Sequence, residues 1–180
     1  DDEYHVLLDL KNAGFHSLSG VYAVQCVGDP FVVTMPIGLE HYAMRLSPRG
    51  VPLTVALASA GPERTEEIKG IVNKDVRSTL ENAHRLGYAH LDVRPDNIVL
   101  VRKDGEEEEH AYLVDWGVAA RIGDEIGFRG CMPFACDEMV GAYVGGMTVE
   151  VNGEMDVRSL ELTLDSIGIK TPVVEVHASS

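Results

Sequence analysis

Four polar side chains, Asp92, Arg94, Asn97 and Asp115, stand at offsets that could do chemistry together. The first three fall within His90-Leu91-Asp92-Val93-Arg94-Pro95-Asp96-Asn97. An apolar run, an acidic turn and a second apolar run then lead to Asp115-Trp116-Gly117. An Asp in a loop can take a proton from an attacking hydroxyl. A cation two residues on can offset charge on a transferring phosphoryl group. Asn and Asp both offer oxygen to Mg²⁺, which usually takes one or two protein carboxylates plus substrate phosphates. Singly, each has a plainer reading: an isolated Asp more often caps a turn, and an Arg among acids is ordinarily a surface ion pair. Their joint order and spacing are those of phosphoryl transfer from a nucleotide.

These residues need elements to hold them. Asn97–Val101 and Ala111–Val114 are apolar and branched, and Asp104-Gly105 is a turn dipeptide between them, so the pattern predicts a β-hairpin whose ends return Asp115 toward Asn97. The Glu106–Glu109 run is expected on its solvated rim, because neighbours on a strand point to opposite faces and cannot share one ion. Before the loop, Ile68, Ile71, Val72, Val76, Leu80, Ala83 and Leu86 recur at helical steps, and Gly87 is a stop, predicting a helix over 63–86. After it, residues 118–150 read as Gly-rich and irregular. Met155, Leu160, Leu162 and Leu164 predict a helix over 154–167, ended by Gly168. Near the start, Val6, Leu7 and Leu10 share the face of a short helix over 3–12. Residues 21–27 and 31–35 read as a hairpin around Gly28-Asp29-Pro30.

The chain has 180 residues, enough for one domain with a real core. Its 45% hydrophobic and 24% charged content are those of a soluble globular protein. The net charge of −14 argues against a nucleic-acid partner, which needs basic surface, and means that phosphate chemistry must use a bound cation or a local basic group. Cys26, Cys131 and Cys136 show no tight pairing pattern, which predicts reduced thiols in a cytoplasmic or nuclear setting. No apolar run has membrane-spanning length. The chain opens on Asp1-Asp2-Glu3-Tyr4 without Met, as if it began inside a larger domain.

Residues 83–100, Ala-His-Arg-Leu-Gly-Tyr-Ala-His-Leu-Asp-Val-Arg-Pro-Asp-Asn-Ile-Val-Leu, resemble the catalytic loop of a eukaryotic-type protein kinase. Asp115-Trp116-Gly117 resembles that family's Asp-Phe-Gly. Gly130-Cys131-Met132-Pro133-Phe134-Ala135-Cys136-Asp137-Glu138 resembles the end of its activation segment, and Asp156-Val157-Arg158-Ser159-Leu160-Glu161-Leu162 resembles a helix of its large lobe. The likeness is densest over 83–138, extends to 164 and fades before 40.

The resemblance implies an α+β, protein-kinase-like fold with an incomplete small lobe and a mainly helical large lobe carrying a catalytic-loop β-hairpin. It divides the chain into a small-lobe remnant (1–38), a large lobe (39–167) and a tail (168–180). It implies transfer of the ATP γ-phosphate to a protein hydroxyl. Asp92 would be the base, Arg94 would replace the family's Lys and steady the phosphate, and Asn97 and Asp115 would hold Mg²⁺. His90 and Trp116 would pack in the spine joining the lobes, Asp156 would anchor the catalytic loop, and Pro36 to Gly38 would be the hinge beside adenine. Arg94, at the Lys position of Ser/Thr kinases, leans the acceptor toward Ser/Thr.

Departures shape the expectation. Leu91 stands where the family usually has an Arg that receives an activation-segment phosphate, and residues 116–130 hold no Ser, Thr or Tyr. Both predict a centre not switched by phosphorylation of that loop. No Gly-rich loop or Val-Ala-Ile-Lys strand is present, and Lys11 lies in a helical pattern, so the chain reads as a kinase domain trimmed at both ends. Glu3 is a candidate for the helix Glu that pairs with the strand Lys. Two alternatives follow: a non-catalytic, pseudokinase-like scaffold, and a small-molecule phosphotransferase of the aminoglycoside or choline kinase type, toward which Trp116 leans. The Gly130–Glu138 and Asp156–Leu162 segments lean back toward protein kinases.

Overall fold

The first element of the computed structural model is helix α1 (Asp2–Asn12); the structure describes residues 2–34, 40–102, 105 and 107–168. Leu7 and Leu10 are buried and Val6 packs beside them, the face that the spacing predicts. Short strands follow: β1 (Gln25–Cys26), β2 (Phe31–Thr34), β3 (Glu40–Ala43), β4 (Leu46–Ser47) and β5 (Val51–Pro52).

The hairpin expected between 21–27 and 31–35 does not form. Instead β1 pairs antiparallel with β4, and β2 with β3. The reason lies in where the backbone groups of residues 22–24 go. Leu113 N–H donates to Tyr22 O, and Val24 N–H donates to Leu113 O. This stretch is committed to a strand from much later in the chain, so β2 finds its partner downstream. Strand pairing therefore continues past residue 38 to Ser47. Pro36 and Gly38 lie outside the described residues, as do Asp104 and the expected tail from 169 onward.

Helices α2 (Leu53–Ala58) and α3 (Pro62–Arg85) come next. Pro62 occupies the first turn, where its missing N–H costs nothing. Ile68, Val72, Val76, Leu80 and Ala83 are buried, with Ile71 and Leu86 packed against the same core. Gly87 at φ +83 ends the helix as expected.

Strands β6 (Tyr88–Ala89), β7 (Ile98–Arg102) and β8 (Glu109–Leu113) flank the loop. β7 and β8 form the predicted hairpin, in register from Ile98 opposite Leu113 to Arg102 opposite Glu109. β5 adds to the other edge of β7.

Strands β9 (Ala120–Arg121) and β10 (Glu125–Ile126), helix α4 (Asp137–Gly145), strand β11 (Val149–Glu150) and helix α5 (Glu154–Ser166) complete the described chain. Helix α4 lies where the sequence reads as irregular. Gly141 and Gly145 mask it, since glycine is a poor helix former. Its acidic first turn, Asp137 and Glu138, complements the helix dipole.

The described chain thus mixes helix and strand, in keeping with the α+β class. One core joins α1, α3, the hairpin and α5 around Leu10, Phe15, Val76, Leu113, Trp116 and Leu160. A second packs Leu91 with Ala120, Ile126, Met139 and Met155. The candidate loop runs between the two. Among the described residues, no helix is long and apolar enough to cross a membrane.

Candidate active site

The loop from His90 to Asn97 is held from below by α5. Asp156 is fully buried in that helix's first turn. Its Oδ1 accepts Leu91 N–H at 2.7 Å, and its Oδ2 accepts His90 N–H at 2.8 Å. Oδ2 also lies 2.8 Å from His84 Nε2 at the end of α3. Thr163, two turns on, donates its hydroxyl to Val93 O at 3.0 Å. One helix therefore grips three successive parts of the loop, and its grip lets Leu91 adopt φ +66, a conformation costly for a branched side chain.

Asp92 and Asn97 meet directly. Asn97 Nδ2 donates to Asp92 Oδ2 at 2.7 Å and to Asp92 O at 2.9 Å. This amide, nearly inaccessible to solvent, thereby fixes both the side chain and the backbone of Asp92. Asp92 Oδ1 is buried and has no donor among the described residues. Arg94 Nε stands 3.3 Å from Asp92 Oδ2, and its NH1 group reaches Asp96 at 3.1 Å. Burial opposes the Arg94 charge, but Asp92 and Asp96 outweigh it and raise its pKa.

The far end of the hairpin brings in Asp115. Val114 N–H donates to Asn97 O at 2.9 Å, so the chain reaches Asp115 directly beside the Asn97 backbone. Asp115 takes φ +62, and its Oδ1 accepts Gly117 N–H at 3.4 Å. Trp116 is completely buried, edge-on to His90 with ring centres 4.7 Å apart and to Phe15 at 5.7 Å. His90 and Trp116 therefore pack against each other. His90 Nε2 is 3.0 Å from Val114 O, and Asp92 N–H points to His90 Nδ1 at 3.3 Å. The two contacts assign the ring proton to Nε2, and burial lowers the pKa of the ring, against a smaller opposing pull from Asp156.

Glu3 reaches this region from α1. Its Oε1 accepts Trp116 N–H at 3.2 Å, and burial raises its pKa, with the negative charge of Asp115 adding to the rise. A carboxylate read from the sequence as a partner for a lysine is thus engaged with a backbone amide.

Three contacts escape the sequence. Gly130, at φ +89, brings the chain so close that a Cβ there would collide with Leu91 O and lie 3.5 Å from Asp92 Oδ1. Cys131 Sγ sits 3.7 Å from the Arg94 NH1 group. Thr163 supports Val93 from a helix face that reads only as apolar. Gly130 had a readable signal, since a glycine at a close backbone approach is a recurring use of that residue; the other two had none.

No family model matches the chain. Serine/threonine-protein kinase PknE of Mycobacterium tuberculosis is 37% identical over 88 residues, which are 49% of this chain and 14% of that protein. Serine/threonine-protein kinase PknD of Chlamydia pneumoniae is 33% identical over 125 residues, 68% of this chain and 12% of that protein. The casein kinase 1-like protein HD16 of Oryza sativa subsp. japonica is 27% identical over 107 residues, 59% of this chain and 14% of that protein. The chain matches only 12–14% of the length of these relatives. Over the matched residues the chain is similar to Ser/Thr protein kinases and to a casein kinase 1-like protein.

Proposed function

We propose that this chain supplies the catalytic-loop side of an ATP-dependent Ser/Thr protein kinase. The observation that carries the reading is the Asp92 carboxylate: Asn97 holds its Oδ2, while its Oδ1 has no donor among the described residues. Such a carboxylate is oriented to accept the proton of an acceptor hydroxyl as that oxygen attacks the γ-phosphorus. The bond from the γ-phosphorus to the bridging oxygen breaks, and ADP leaves with the electron pair. Arg94, beside Asp92, offsets charge on the transferring group.

The donor set suits Mg²⁺. Asn97 uses its amide nitrogen on Asp92, which leaves its side-chain oxygen for a cation, and Asp115 offers a carboxylate at the other end of the hairpin. Bound with ATP, Mg²⁺ would neutralise phosphate charge. Pro36 and Gly38, proposed to lie beside adenine, fall outside the described residues.

The centre is also proposed to work without loop phosphorylation. Leu91 is packed among Ala120, Ile126 and Met139, where a phosphate-binding Arg would have no place. Arg129 donates instead to Val118 O and Ala119 O, at 3.2 and 3.3 Å, tying the segment down with a residue of its own.

One observation favours a second reading, a non-catalytic scaffold: Glu3 accepts the Trp116 amide, and among the described residues no lysine pairs with it. The test compares Asp92→Asn with the parent protein, measuring transfer of labelled phosphate from ATP to a protein acceptor alongside nucleotide binding. Lost transfer with retained binding supports the kinase reading. Absence of transfer in the parent under conditions where it binds Mg·ATP supports the scaffold.

A further inference from the structure

A second concave region lies away from Asp92, between α3 and the outer half of the β7–β8 hairpin. Its volume is about 210 Å³, and Glu67, Asp75, Glu107, Glu108 and Glu109 line it beside the two cations Lys74 and Arg102. Both cations are already engaged, Lys74 with Glu108 at 3.2 Å and Arg102 with Glu109 at 4.0 Å, and Arg64 from α3 pairs with Glu67 at 2.8 Å and with Glu109. Among the described residues, Glu107 and Asp75 are left without a Lys or Arg partner, on a chain whose net charge is already −14.

A run of glutamates alone is a solvated face, and Asp75 sets this cleft apart from one. It is 1% exposed. Its Oδ2 accepts Ala111 N–H at 3.0 Å and faces His110 Nδ1 at 3.0 Å. Its Oδ1 is buried and has no donor among the described residues. A buried carboxylate oxygen without a donor is costly, and the field of a charge at the base of a cleft is screened far less than that of a surface glutamate.

We propose that this cleft docks a basic side chain, arginine or lysine, from a short segment of a protein partner. Glu107 at the mouth would pair with the incoming cation, Glu108 would be shared between it and Lys74, and Asp75 at the base would add its negative field. A resident metal ion fits less well, because among the described residues no group of three or more His, Cys, Asp or Glu side chains could hold one. The acidic surface would also speed encounter with a basic segment. The proposal needs neither ATP nor phosphoryl transfer, so its failure and that of the kinase reading are separable.

The test is fluorescence anisotropy on the whole chain without nucleotide, using a labelled peptide that alternates arginine with alanine and a counterpart carrying citrulline. The arginine peptide is expected to bind and the citrulline peptide not to. Glu107→Gln with Glu108→Gln, both exposed, should weaken binding about tenfold or more. Asp75→Asn should weaken it too, but the glutamate pair keeps the test independent of folding. Asp124→Asn with Glu125→Gln, an exposed acidic pair elsewhere, should leave affinity within about twofold. Equal weakening by this control pair, equal binding of the citrulline peptide, or binding of calcium or a polyamine but not of the arginine peptide would each overturn the proposal.

Discussion

Asp156 accepts the backbone N–H of Leu91 at 2.7 Å, one of the bonds by which α5 holds the candidate loop. Leu91 sits at φ +66, so its amide faces the helix below while the next residue, Asp92, turns toward Asn97. A buried carboxylate is stable here because its oxygens meet two amides and the His84 ring. Replacing Asp156 with Ala should leave two buried amides without acceptors and cost about 2–4 kcal/mol. Urea denaturation should show a lower midpoint, and hydrogen exchange should quicken at His90 and Leu91. Unchanged exchange at those two amides would count against this anchoring.

Gly130→Ala should destabilise the protein by about 1–3 kcal/mol, since the new Cβ would press on the Leu91 carbonyl as well as adopt a left-handed backbone. Gly28→Ala, also at positive φ but with open space around it, isolates the backbone part. The difference between the two unfolding free energies reports the close approach to the loop. Equal costs would show that crowding at Leu91 contributes nothing.

Trp116→Ala should cost about 3–5 kcal/mol, because a fully buried ring between Phe15 and His90 leaves a cavity when removed. Trp116→Phe should cost much less. It keeps an aromatic edge against both neighbours and removes an indole N–H that is buried without an acceptor among the described residues. Thermal unfolding of the two variants side by side is the measurement, and equal losses would contradict it.

Stability should fall as pH drops below the ordinary imidazole value of about 6.5. Burial lowers the pKa of both His90 and His16, so below that value the unfolded chain binds protons that the folded chain resists. The unfolded state then holds more protons, and unfolding free energy rises with pH across that window. Glu3, raised by burial, acts with the opposite sign and at lower pH, above its unfolded value. His90→Gln should flatten the dependence of the melting temperature between about pH 7 and about pH 5.5. An unchanged slope would remove His90 as a source.

Much of the fold was legible because periodicity and punctuation agreed. Helix α3 shows its buried face in the spacing from Ile68 to Ala83 and its end in Gly87, and β7 and β8 show theirs in two branched runs around a turn dipeptide. The local pattern at 21–35 points to a hairpin, whereas Tyr22 and Val24 exchange hydrogen bonds with Leu113, a partner that local pattern cannot reveal. Helix α4 was hidden by its glycines, whose low propensity is overridden by the burial of Met139 and Ala142.

By itself the sequence marked Asp92, Arg94, Asn97 and Asp115 as candidates by residue type and offset, since a hairpin returns its two ends to one place. Only the tertiary structure decided how they are held. Asp156, Thr163, Glu3 and Gly130 act across long stretches of chain, where contact depends on how helices and loops pack rather than on any local repeat. The acidic cleft divides the same way. The glutamate run is plain in the sequence, whereas the buried Asp75 carboxyl beneath it is placed only because α3 packs against β8.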